Sequence, residues 1–104
     1  MTTIFLITTL KPGVSRAEYE KWAKERDYPF MAGLKSVKNF SINRIEGKIT
    51  GAENSGWMYL ECIELVSPEL YEQELATEAG TKLREELFRF VDRPKNVRFS
   101  STPI

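Results

Sequence analysis

A chain of 104 residues has room for one domain built around one core, and so short a chain leaves much of its surface exposed and is often stabilised by association. Lys plus Arg and Asp plus Glu both number 15, a balance that argues against a nucleic-acid partner, which selects a basic patch or stripe. The chain contains no histidine, which excludes Ser-His-Asp, Cys-His and facial-triad iron chemistry, and its one cysteine, Cys62, permits no internal disulfide and leaves a zinc site short of ligands.

The N-terminal run Met1 to Ile7 lacks a positive leading region and reaches Lys11-Pro12-Gly13 too soon for a signal peptide. No apolar run approaches the roughly 18 residues that would span a bilayer. The lone thiol fits a reducing compartment. A cytoplasmic protein without membrane contact, metal or cofactor is therefore expected. Any chemistry must come from carboxylates, Tyr, Lys or Arg, or from the substrate itself.

Thr3 to Leu10 is rich in β-branched and apolar residues and stops at the turn Lys11-Pro12-Gly13. It reads as a strand covered on both faces. Ser15-Arg16-Ala17-Glu18 forms a capping box, and Val14 and Tyr19 are spaced for a hydrophobic staple. Tyr19, Trp22, Ala23 and Arg26 follow at helical spacing. Pro29 disfavours the α conformation at Tyr28, which predicts that the helix stops near Asp27. Phe30 to Leu34 then reads as a short apolar turn closed by Gly33.

Val37 to Ile45 and Gly56 to Val66 are the next two strands, joined by a Gly-rich connection, Glu46 to Ser55. The spacing of Gly47, Gly51 and Gly56 does not fit a phosphate loop. The register that best sorts polarity puts Phe40 and Ile42 beside Met58, Leu60 and Cys62 on a core face under the helices. It leaves Asn39, Ser41 and Asn43 beside Trp57, Tyr59 and Glu61 on a second face that a partner sheet would cover. On that reading Cys62 is an inert buried thiol.

Ser67-Pro68 starts a helix running to about Thr77. Its acidic residues Glu69, Glu72, Glu74 and Glu78 read as a solvated face. Gly80 interrupts, and Leu83, Leu87, Phe88 and Val91 mark a further helix ending before Arg93-Pro94. Val97 to Thr102 is the last strand. The order β-α-β-β-α-(α)-β is that of an α+β, ferredoxin-like split βαβ domain covering residues 1–104. A four-stranded antiparallel sheet would carry its helices on one face. The other face would pair with a second copy, as a homodimer closing an α+β barrel.

The densest group of functional side chains is Glu25-Arg26-Asp27-Tyr28-Pro29. Arg26 would bind a carboxylate, Asp27 accept a proton and Tyr28 donate to a carbonyl or phenolate. The plain alternative is that Tyr28 packs, Asp27 caps and Arg26 is solvated. Glu61, mid-strand on a covered face, would have a raised pKa as a functional acid. Alternatively it pairs with a basic residue of a partner subunit. Tyr19, Trp22, Trp57 and Tyr59 would either wall a pocket for a flat ligand or form ordinary core.

The string from Ser15-Arg16-Ala17-Glu18-Tyr19 through Trp22-Ala23, Arg26-Asp27-Tyr28-Pro29 and Gly33-Leu34-Lys35-Ser36-Val37 resembles the dimeric α+β barrel superfamily. Tyr28 stands where those relatives often carry His, so the resemblance does not bring over His-dependent oxygenase or decarboxylase activity. Within the superfamily the chain is most similar to the RedY-like proteins of HapK type found in prodiginine pigment clusters. That resemblance implies a part in making a red tripyrrole pigment, with a small aromatic or pyrrole-like ligand, as an accessory protein or a cofactor-free proton-transfer or cyclisation catalyst. The other implied role is a non-catalytic, stress-responsive or interaction dimer.

Overall fold

The computed structural model describes residues 1–47 and 56–104. Four strands, β1 (Thr2–Thr8), β2 (Val37–Arg44), β3 (Tyr59–Leu65) and β4 (Val97–Ser101), form one antiparallel sheet in the order β2-β3-β1-β4. The helices α1 (Arg16–Trp22), α2 (Tyr28–Ala32), α3 (Pro68–Leu75) and α4 (Glu78–Leu87) complete the expected α+β, ferredoxin-like architecture. Among the described residues, no helix is long and apolar enough to cross a membrane. Most of the glycine connection expected over Glu46 to Ser55, Gly51 included, lies outside the described residues.

The turn after β1 needs Gly13, whose φ of 87° is poorly tolerated by residues with a Cβ. Ser15 Oγ accepts from the Glu18 N–H at 3.1 Å, as the capping box requires. The helix does not end at Asp27. Residues Ala23–Asp27 form a π-helical turn, and Tyr28 remains right-handed helical (φ −57°, ψ −47°) with its N–H bonded to Ala23 O, five residues back. The wider turn accommodates Pro29, which has no N–H to give and whose ring would crowd a regular α-turn. Helical backbone thus runs unbroken from Arg16 to Ala32.

The second correction concerns β3. Pairing aligns Phe40 with Ile63 and Ile42 with Glu61, so Phe40 and Ile42 face the helices as expected, but beside Tyr59, Glu61 and Ile63. Tyr59, Glu61, Ile63 and Leu65 are buried, whereas Leu60, Cys62 and Glu64 are only half-buried on the open face. Cys62 therefore lies beside Ser41 and Asn43, not in the core. Polarity sorting sets the alternation one residue out, because placing the carboxylate of Glu61 outward improves the apparent separation of faces.

Two core clusters fill the helix–sheet interface, one around Tyr19, Trp22, Tyr59 and Val91, the other around Ile4, Met31, Ile63 and Leu65. Ser67 caps α3 through the Leu70 N–H, and Thr77, expected to close that helix, instead caps α4 through the Gly80 N–H. Gly80 does not interrupt but lies inside α4, where a Cβ would collide with the Leu75 carbonyl. Glu74, read as solvated, accepts from the backbone N–H groups of Lys35 and Ser36 and fixes the start of β2. On the open sheet face, Phe5 stacks on Phe99 at 5.5 Å, and Val97 and Phe99 stay exposed.

Candidate functional site

A cavity of about 320 Å³ lies between the sheet and the helices where the two core clusters meet. Ile4, Leu6, Met31, Phe40 and Ile63 make much of its apolar wall. Two carboxyls, Asp27 and Glu61, open onto it from opposite layers. Asp27 comes from the last residue of the π-helical turn and Glu61 from the middle of β3. Each is about 95% removed from solvent, at 5% and 4% exposure.

The electrostatics of this pair follow from what is missing around it. Among the described residues no Lys or Arg pairs with either carboxyl, and Glu61 Oε2 has no hydrogen-bond donor within reach. Burial raises the pKa of Asp27 far above the ordinary carboxylate range. Burial, with the added repulsion of Asp27, does the same to Glu61. Like charges in a poorly solvated interior oppose one another's ionisation, so the pair ionises at higher pH than exposed carboxyls do. It combines a donor and an acceptor in one site, without histidine.

Tyr71 of α3 also lines the cavity, its phenol pushed up to about 12, chiefly by burial. Asn96, just before β4, contributes an Oδ1 that is buried and without a partner. Arg84 and Arg93 reach the cavity from exposed positions; Arg93 lies 3.9 Å from the Phe88 ring centroid. None of these four was singled out from sequence. The signal for Tyr71 was its i, i+4 pairing with Leu75 on the sheet-facing side of α3; Asn96 and the arginines gave none.

The remaining sequence candidates are placed elsewhere. Arg26 lies outside and makes a bidentate ion pair with Glu86, at 2.9 Å for each bond, while Trp22 Nε1 donates to the same carboxylate. The Tyr28 hydroxyl accepts from the Ile42 N–H at 2.7 Å, and its ring meets Phe40 edge-on at 5.0 Å. Tyr28, Tyr19 and Tyr59 border a second, smaller cavity of about 150 Å³. There Tyr59 donates to Glu20, which Arg44 also holds. Tyr19 is fully buried, its ring 4.8 Å from that of Tyr59 and its hydroxyl unpartnered. Burial first, then the charges of Glu61 and Asp27, push its pKa far up. Trp57 is 39% exposed and borders neither cavity. Among the described residues no group of three metal-ligating side chains is present.

Comparison with solved structures gives the same fold. HapK from Hahella chejuensis superposes with a TM-score of 0.81 at 19% identity, over 100% of this chain and 93% of that one. The hydroxynitrile lyase from Passiflora edulis gives 0.80 at 12% identity, over 99% and 93%. SnoaB, a cofactor-independent oxygenase from Streptomyces nogalater, gives 0.76 at 14% identity, over 99% and 92%. No curated protein matches the chain by sequence. The family described as "REDY-like protein HapK" matches residues 2–102, nearly the whole length, and the chain belongs to that family.

Proposed function

We propose that the protein takes up a flat, pyrrole-like biosynthetic intermediate in the helix–sheet cavity and moves a proton on it without a cofactor, in the making of a prodiginine-type tripyrrole. The observation that carries this reading is the buried Asp27 and Glu61 opening together onto an apolar cavity, with Glu61 Oε2 lacking a hydrogen-bond partner. Burying two carboxyls in a core without a pairing cation opposes folding, and such cost is characteristic of sites kept for chemistry. The ionised member of the pair takes a proton from one ring position, and the protonated member returns one to another. No electron leaves the substrate, so isomerisation and ring closure are within reach of these residues alone. The apolar walls keep water from competing for the transferred proton.

Family membership supports the biosynthetic setting, and the fold shared with SnoaB is compatible with chemistry that needs no cofactor. The placement of Tyr28, packed on Phe40 and bonded to Ile42, favours a second reading, a non-catalytic interaction dimer. The cavity and its acid pair weigh toward ligand binding. In either case we propose pairing of two copies through the open sheet face, where Phe99 and Val97 are exposed. The test is thermal denaturation with pyrrole and bipyrrole aldehydes: a ligand at about 100 times its Kd stabilises the native state by about 2.7 kcal/mol. No shift with any of them ends the ligand reading, and unchanged pigment and intermediates after gene deletion end the biosynthetic one.

A further inference from the structure

The cavity is polarised, and its polarity selects a ligand class. Its interior presents buried polar oxygens without partners, Glu61 Oε2 and Asn96 Oδ1, and Glu61 accepts there once it is ionised. An orphaned buried acceptor opposes folding, and two in one cavity ask for a ligand edge that carries N–H groups. The exposed side is of opposite character. Arg84, Arg93 and Arg98 all border the cavity. Arg98 is loosely paired with Glu72 at 3.7 Å. Among the described residues neither Arg84 nor Arg93 forms an ion pair. Guanidinium groups at a half-solvated mouth present the planar fork that a carboxylate matches.

We infer that the ligand is a heteroaromatic carboxylic acid, seated with its ring N–H edge toward Glu61 and Asn96 and its carboxylate toward Arg84 and Arg93. This rests on the cavity being the ligand site and adds the class of molecule and its direction of insertion. The buried acid pair sets that direction: a carboxylate pushed inward would meet two carboxyls and no cation, whereas an N–H there is welcomed. Aromatic walls such as Phe40 and Phe88 suit a flat ring between the two polar ends.

The experiment is calorimetric titration of the full chain near neutral pH with a bipyrrole carboxylate, its carboxamide, and its ring-N-methylated derivative. The acid should bind about tenfold more tightly than the amide, the scale of one charge-assisted contact. Arg84→Gln and Arg93→Gln should each reduce that preference severalfold. Arg89→Gln, an exposed arginine that does not border the cavity, should leave it unchanged. N-methylation should weaken binding about tenfold by leaving the interior acceptors orphaned. Equal binding of acid and amide, or a preference that survives both arginine variants, overturns the outward carboxylate. Equal binding of the N-methylated acid overturns the inward N–H edge. In those cases the cavity remains a ligand site. If none of the three binds, the proposal falls together with the ligand reading beneath it.

Discussion

Replacing Glu61 by Gln keeps the side-chain volume and removes one of the two buried acids, so its consequences test the electrostatic account of the cavity. Well below the ordinary carboxylate range both acids are neutral in the folded and the unfolded chain alike. As pH rises, the unfolded chain releases these protons first. The folded chain holds them longer, because burial raises both pKa values and the charge of Asp27 adds to the rise at Glu61. The unfolded state then binds fewer protons, so stability must fall as pH rises and level off once the folded pair has ionised. Each pH unit of delay is worth about 1.4 kcal/mol per group. With Asp27 ionising at about 7 and Glu61 at about 8 in the folded chain, the loss between pH 5 and 9 is at least about 3 kcal/mol. Glu20 and Glu86 act in another window: Arg44 and Arg26 hold them at about 2, so what they contribute is lost only on acidification. Urea denaturation at fixed protein concentration, repeated across that range, should show the wild-type midpoint falling by about 2 M. Glu61→Gln should show about half that fall, since only the burial of Asp27 then opposes ionisation. A wild-type stability that is flat or rises between pH 5 and 8, or a variant with an unchanged slope, would refute the reasoning.

Other expectations follow from single contacts. Tyr28→Phe removes the hydroxyl that answers the outward Ile42 N–H of edge strand β2, and should cost about 1–2 kcal/mol in chemical denaturation with faster amide exchange at Ile42. Gly80→Ala drives a methyl into the Leu75 carbonyl, where backbone must move; a loss of about 2–3 kcal/mol is expected, and a neutral result would contradict the close approach of α4 to the end of α3. Phe99→Asp puts a charge on the open face beside Phe5, and should turn a dimer into a monomer in sedimentation equilibrium without unfolding it; an unchanged mass would exclude that face as the interface.

The order of elements was legible because it rests on short-range signals: Ser15 and Glu18 at one helix start, Ser67-Pro68 at another, and β-branched runs between turns. The site was only half legible. Asp27 and Glu61 were each visible as residues of interest, but nothing local says that they line one cavity, since that placement is made by folding α1 and its π-turn over β3. The face of β3 was misread for a connected reason. Sorting by polarity assumes that a carboxylate prefers water, and Glu61 breaks that rule by lying buried under the helices. Leu60 pointing outward completed the error, because an apolar residue on an uncovered face looks like core until the sheet's other side is seen. Pro29 misled in a similar way: its effect on the preceding residue is real in a regular α-helix, but the π-turn relaxes the crowding that produces it.

That π-turn has a genetic corollary. A π-turn holds one residue more than the α-turn it replaces, so removing a single codon between Ala23 and Asp27 would restore regular helix. The α1 face through Tyr19 and Trp22 would keep its packing, while everything from Asp27 onward would rotate by about 100°. Asp27 would leave the cavity and Tyr28 would lose Ile42. A lineage could therefore gain or shed the acid pair by one in-frame insertion or deletion, with no substitution at either carboxylate.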